Sequence, residues 1–82
     1  MKTTLKRGDH LIVVENGNSY WSQYRTFGRG EVTHVDGLDV EVFFRAVGTV
    51  RFFANSEEDL SSSEFCLRHA GYGKYIHVRK ES

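Results

Sequence analysis

Proline is missing from this 82-residue chain, cysteine and methionine appear once each, and eleven basic residues cancel eleven acidic ones. Each shortage narrows the reading. With no proline, no internal repeat and no low-complexity tract, nothing marks an interdomain linker, and residues 1–82 read as one domain. The lone Cys66 excludes an internal disulfide, and no apolar run reaches the length of a signal or a membrane span. Both point to a cytoplasmic protein kept reduced and away from membranes. A formal net charge of zero removes the electrostatic footprint of a domain that holds nucleic acid chiefly through phosphates.

What the chain does have is aromatic: one Trp, four Tyr and six Phe. A domain of this size buries only about 60 to 65% of its unfolded surface. The aromatics, each able to bury roughly 150 to 250 Å², must therefore supply much of the core. The charges, though balanced, are unevenly placed. Acids gather in 31–41 and 57–64, while bases gather at Lys2, Lys6 and Arg7, around Arg25 and Arg29, and at Arg68, Lys74, Arg79 and Lys80.

Short β-branched and aromatic runs between glycine turns predict an all-β domain. Strands are expected at 11–15, 31–35, 39–46, 49–54, 65–67 and 75–79. Parity constrains the strongest hairpin: for Val42 and Phe44 to share a face with Val50 and Phe52, the connecting loop must hold an odd number of residues. A loop of Ala46, Val47 and Gly48 satisfies this, with Gly48 left-handed, Phe44 opposite Val50 and Val42 opposite Phe52. The outer face is then Glu41, Phe43 and Arg45 against Thr49, Arg51 and Phe53, with Arg51 able to lie over Phe43. At Asp36-Gly37 a three-residue loop or a bulge aligns Val32 with Val42 and His34 with Val40, and the longer connection is the one expected. Between 55 and 63 the capping-box spacing of Ser61 and Glu64 predicts a short helical turn, a polar loop being the alternative.

A first strand, a long aromatic loop, three hairpin-linked strands, a short helical turn and a final strand resemble the SH3-like small barrel, here with five to six strands. Gly30-Glu31-Val32 followed by Val40-Glu41-Val42-Phe43-Phe44 is similar to the rhythm of Tudor-like and KOW-like domains. The chain lacks the acidic cluster and paired tryptophans of the Src-type peptide binders, so the resemblance implies a fold and assigns no functional residue.

Two aromatic groups stand out as candidate contact surfaces. Tyr20, Trp21, Tyr24 and Arg25 lie in the long loop, where the tyrosines suit a partner and where Trp21, with Phe27, also suits closure of the core. Phe43, Arg45, Arg51 and Phe53 form the second group, either a binding surface or a face covered by the loop or the carboxyl-terminal segment. Cys66 and His69 have the C-x-x-H spacing of one zinc ligand pair, with His10, His34 and His77 as distant candidates. A structural site needs two close pairs, so neither a metal nor a cofactor is expected. Gly28-Arg29-Gly30 lacks the helix and lysine of a phosphate-cradling loop and reads as a sharp entry into a strand.

No nucleophile, base and orienter stand in a recognisable order, and a barrel this small offers little concavity, so no enzyme is expected. The expected function is a small protein-binding adaptor or regulator, plausible as a stand-alone bacterial or phage protein. The alternative is a nucleic-acid-binding domain in which Arg25, Arg29, Lys74, Arg79 and Lys80 hold phosphates and Tyr24 or Trp21 stacks on bases. Pairing of two copies through edge strands is a further expectation.

Overall fold

Apolar residues that alternate with polar ones can line a barrel from inside, and six such runs do so here. The computed structural model describes residues 4–14, 27–71 and 73–81. Its strands are β1 (His10–Val13), β2 (Arg29–Asp36), β3 (Asp39–Phe44), β4 (Gly48–Ala54), β5 (Glu64–His69) and β6 (Tyr75–Glu81). They close in chain order as an antiparallel barrel, β6 returning to pair with β1. The architecture is thus all-β, as the alternation predicts, and compatible with an SH3-like barrel. No described helix is long and apolar enough to cross a membrane.

The interior is contributed strand by strand: Leu11, Val32, Val40, Val42, Phe44, Phe52, Leu67 and Ile76 are fully buried. Aromatic rings run through it, Phe27 to Phe44 at 4.9 Å, Phe44 to Phe52 at 6.2 Å, and Phe52 to the half-buried His69 at 5.5 Å between centroids. Phe27 therefore closes the core as expected. Gly30, opposite Phe44, makes room for that ring: a Cβ at Gly30 would meet Val42 Cγ1 at 2.6 Å and Phe44 Cε1 at 2.7 Å. The tight packing is why β2 begins on a glycine-bearing stretch.

Two registers differ from the sequence expectation, each for a physical reason. In the β3–β4 hairpin the three-residue loop is Arg45, Ala46 and Val47, with Phe44 opposite Gly48, Val42 opposite Val50 and Val40 opposite Phe52. The parity is as predicted and Gly48 does take a positive φ of 87°, but the ladder has slid by two residues. The inner face is unchanged by an even slide; the partners are not. In the β2–β3 hairpin Val32 does oppose Val42, yet the connection is the short turn Gly37-Leu38, and the irregularity lies within β2. A bulge between Val32 and His34 sets His34 against Glu41 and Val35 against Val40. Val32 and Val35 are three apart, and only an extra residue lets both face inward.

The predicted helical turn exists as a 3-10 turn, Asp59–Ser61, but Ser61 ends it instead of capping it. The Glu58 side chain makes no capping bond, the Asp59 N–H donates instead to Ser56 Oγ at 3.4 Å, and Leu60 is the turn's one buried anchor. The amino-terminal segment is pinned to this turn by the Leu5 N–H, which donates to the Leu60 carbonyl at 2.8 Å. Lys80 reaches the same carbonyl with its Nζ at 2.7 Å.

Candidate functional site

Residues that alternate with the core must face outward, and on β3, β4 and β5 those residues are unusual. β3 presents Asp39, Glu41 and Phe43; β4 presents Thr49, Arg51 and Phe53; β5 presents Arg68. Phe43 is 46% exposed, one of the largest apolar exposures among the described residues. Phe53 is half-buried beneath two guanidiniums, with Arg51 Cζ at 5.3 Å and Arg68 Cζ at 5.5 Å from its ring centre. Arg51 is fixed there by Asp39: its Nε and Nη2 donate to Oδ1 and Oδ2 at 3.0 and 2.7 Å. The bidentate bond to Arg51 holds the Asp39 carboxyl below the usual carboxylate range and raises the Arg51 guanidinium further. Beyond Arg68, across the β5–β6 pair, stands Tyr75 at 37% exposure.

The register slide decides which expected contacts form. Arg51 faces Glu41 and stacks on Phe53, not on Phe43, whose partner across the ladder is Thr49. Arg45 lies in the hairpin turn, not on the strand as expected, and is exposed. The carboxyl-terminal segment does not cover this face, because β6 lies between β5 and β1. Tyr20, Trp21, Tyr24 and Arg25 lie outside the described residues. Arg68 and Tyr75 belong to the face and escaped the sequence reading, though the alternation of Phe65 and Leu67, and of Ile76 and Val78, already turns them outward.

The cations assigned to phosphate binding are dispersed and in part engaged. Arg29 pairs with Glu81 at 2.6 Å, Lys80 is turned to the Leu60 carbonyl, Arg79 is set opposite Glu64, and Lys74 is exposed in the β5–β6 turn. Arg25 lies outside the described residues. Burial lowers the Lys80 ammonium from its ordinary value.

Cys66 and His69 point to opposite sides of β5, since three residues along a strand reverse the face. His69 packs on Phe52, where burial lowers its imidazole, while Cys66 turns outward to His77. His77 bridges two groups, with Nδ1 3.5 Å from Cys66 Sγ and Nε2 2.7 Å from Glu64 Oε1. The order thiol, imidazole, carboxylate has the form of an activated nucleophile. Burial, aided by the Asp59 charge, pushes the thiol up, which opposes thiolate formation. The chain of groups also lies apart from the cleft of about 490 Å³ between the 3-10 turn and the β2–β3 turn, which is floored by Val35 and Leu60 and flanked by Glu57 and Glu58. Comparison with protein-family models, curated proteins and solved structures finds no match.

Proposed function

We propose that this chain is a small non-enzymatic protein-binding module whose contact surface is the outer face of β3, β4 and β5. One observation carries the proposal: Phe43 stands exposed on the same face where Arg51 and Arg68 lie over Phe53, with Asp39 and Glu41 among them. Aromatic residues and arginine dominate interface hot spots, and stacking on Phe53 holds the two guanidiniums in place before any partner arrives. A face that mixes both signs suits another protein better than a phosphate backbone. The Asp39 carboxylate already occupies the Arg51 fork, which reduces what that residue offers a nucleic acid.

The barrel is read as SH3-like, of the Tudor-like or KOW-like kind, on the hairpin-linked β2, β3 and β4 followed by a 3-10 turn. A reducing cytoplasm suits its one half-buried free thiol, Cys66. Single Phe43→Ala, Phe53→Ala and Arg68→Ala variants are expected to capture less of the same partner from lysate while keeping the fold, as followed by circular dichroism. Undiminished capture by all three sinks the assignment. A mobility shift with DNA or RNA at about 50 mM salt that vanishes at higher salt transfers the function to nucleic acid.

A further inference from the structure

Two guanidiniums share the Phe53 ring, and among the described residues only one has a counter-charge bound to it. Asp39 takes the Arg51 fork through both carboxylate oxygens, at 3.0 and 2.7 Å. Arg68 has no such partner: no described carboxylate lies within ion-pair distance of it, and no described acceptor bonds its guanidinium. Glu64, which faces the same side of β5, is taken up by His77 Nε2 at 2.7 Å.

Backbone pairing sets Arg68 between two aromatic residues, Phe53 of β4 on one side and Tyr75 of β6 on the other. The His69 N–H donates to the Lys74 carbonyl at 2.7 Å, so the adjoining Arg68–Tyr75 pair is a non-hydrogen-bonded one, the kind whose side chains stand closest. Exposed Tyr75 thus brings a phenolic O–H to the neighbourhood of the guanidinium.

We propose that Arg68 is the charge-reading residue of the docking face, and that the partner segment seated there presents an aspartate or glutamate side chain to it. This deepens the protein-binding reading and rests on it. The partner carboxylate accepts two N–H groups from the Arg68 fork, and the Tyr75 O–H donates a further bond to it. Stacking on Phe53 already restrains the guanidinium, so less freedom is lost on binding than at a fully solvated arginine. Arg51 stays with Asp39 and takes no part in the recognition. A carboxylate suits the site better than a phosphate, because Asp39 and Glu41 on the same face repel a dianion more than a single charge. A basic partner residue would meet two guanidiniums instead.

The test is a chemical-shift titration of the full chain with three capped peptides, Trp-Ser-X-Ser-Trp, in which X is glutamate, glutamine or phosphoserine. In an extended peptide the tryptophans share the side of X, where they can reach the Phe53 and Tyr75 rings. The glutamate peptide is expected to shift the Arg68 Nε–H and the Phe53 and Tyr75 amides, while the Arg51 Nε–H stays in place. Glutamine weakens binding at least ~5-fold, as loss of a charge-assisted bond requires, and phosphoserine binds no tighter than glutamate. Arg68→Gln abolishes the titration, and Arg68→Lys, which keeps the charge but loses the planar fork, weakens it. No shift of the Arg68 Nε–H up to ~10 mM glutamate peptide, equal binding of glutamate and glutamine, or a response centred on Arg51 overturns the proposal. Tighter binding of phosphoserine assigns Arg68 to phosphate and also overturns it. If Phe43→Ala weakens partner capture while Arg68 stays silent, the carboxylate assignment falls and the face assignment stands. If the glutamate peptide binds at Arg68 but capture ignores Phe43, Phe53 and Arg68, the face assignment alone falls.

Discussion

Phe43 and Phe44 are neighbours in sequence with opposite fates, and so are Phe52 and Phe53. Phe44 and Phe52 are fully buried and touch each other edge-on, while Phe43 is 46% exposed and Phe53 lies beneath arginines. Composition cannot separate members of a pair; the period of two does. The inner pair spends its area on cohesion. The outer pair leaves Phe43 in solvent and sets Phe53 beneath Arg51 and Arg68.

Mutation should split the pairs most sharply in stability. Phe44→Ala or Phe52→Ala is expected to cost about 3–5 kcal/mol, which approaches the whole stability of a domain this small. Urea denaturation should find both variants largely unfolded in buffer; a loss comparable to that of Phe43→Ala removes the distinction between inner and outer rings. Gly30→Ala tests the same interior from the opposite wall. With Val42 and Phe44 within 2.8 Å of the new methyl, it should cost about 1–3 kcal/mol through overpacking. A neutral result means that the Phe44 ring can move.

The outer pair should respond in binding instead. Phe43→Ala is expected to change stability by no more than about 0.5 kcal/mol, since an exposed ring loses few contacts, while reducing partner capture. A large loss of stability there reassigns Phe43 to packing.

How much of this was legible follows from the range of each signal. The inner and outer division of β3 and β4 depends on alternation alone, and it was readable before any coordinates. So was Phe27 as a core residue, from its place at the end of a loop that must close the barrel. Register is different, because it depends on where each turn begins. Sliding the β3–β4 ladder by two preserves every face and changes every partner, so Arg51 was legible as an outer residue two places from Phe53 on the same strand, but its cross-strand partner is Glu41 and not the expected Phe43. Matching Val32 to Val42 was readable as a need for one extra residue, but the turn signal at Asp36-Gly37 placed that residue in the connection and set His34 against Val40, whereas it lies within β2 and brings Val35 there. Arg68 came to the face through β4–β5 pairing across a nine-residue connection, Asn55 to Ser63, whose path no local pattern specifies.

The smallest expected effect concerns protons and again divides inside from outside. His69 lies against Phe52, and burial keeps its imidazole below its ordinary value, so protonation favours the unfolded chain. Stability carried this way is present above the unfolded histidine value and falls as the pH drops through the lower folded value, so it is lost between neutral and mildly acidic pH. Asp39 is also held below its ordinary value, by the Arg51 bond first, and its contribution is likewise lost on acidification. That loss comes later, in the carboxylate range and below it. Because the Asp39–Arg51 pair is exposed to solvent, salt should weaken its step, whereas the His69 step should be less sensitive to salt. Urea midpoints measured across this pH range at low and high salt separate the two. His69→Gln should remove the first step only, and Asp39→Asn the second only; a single variant that flattens both shows that inner and outer groups titrate as one coupled set.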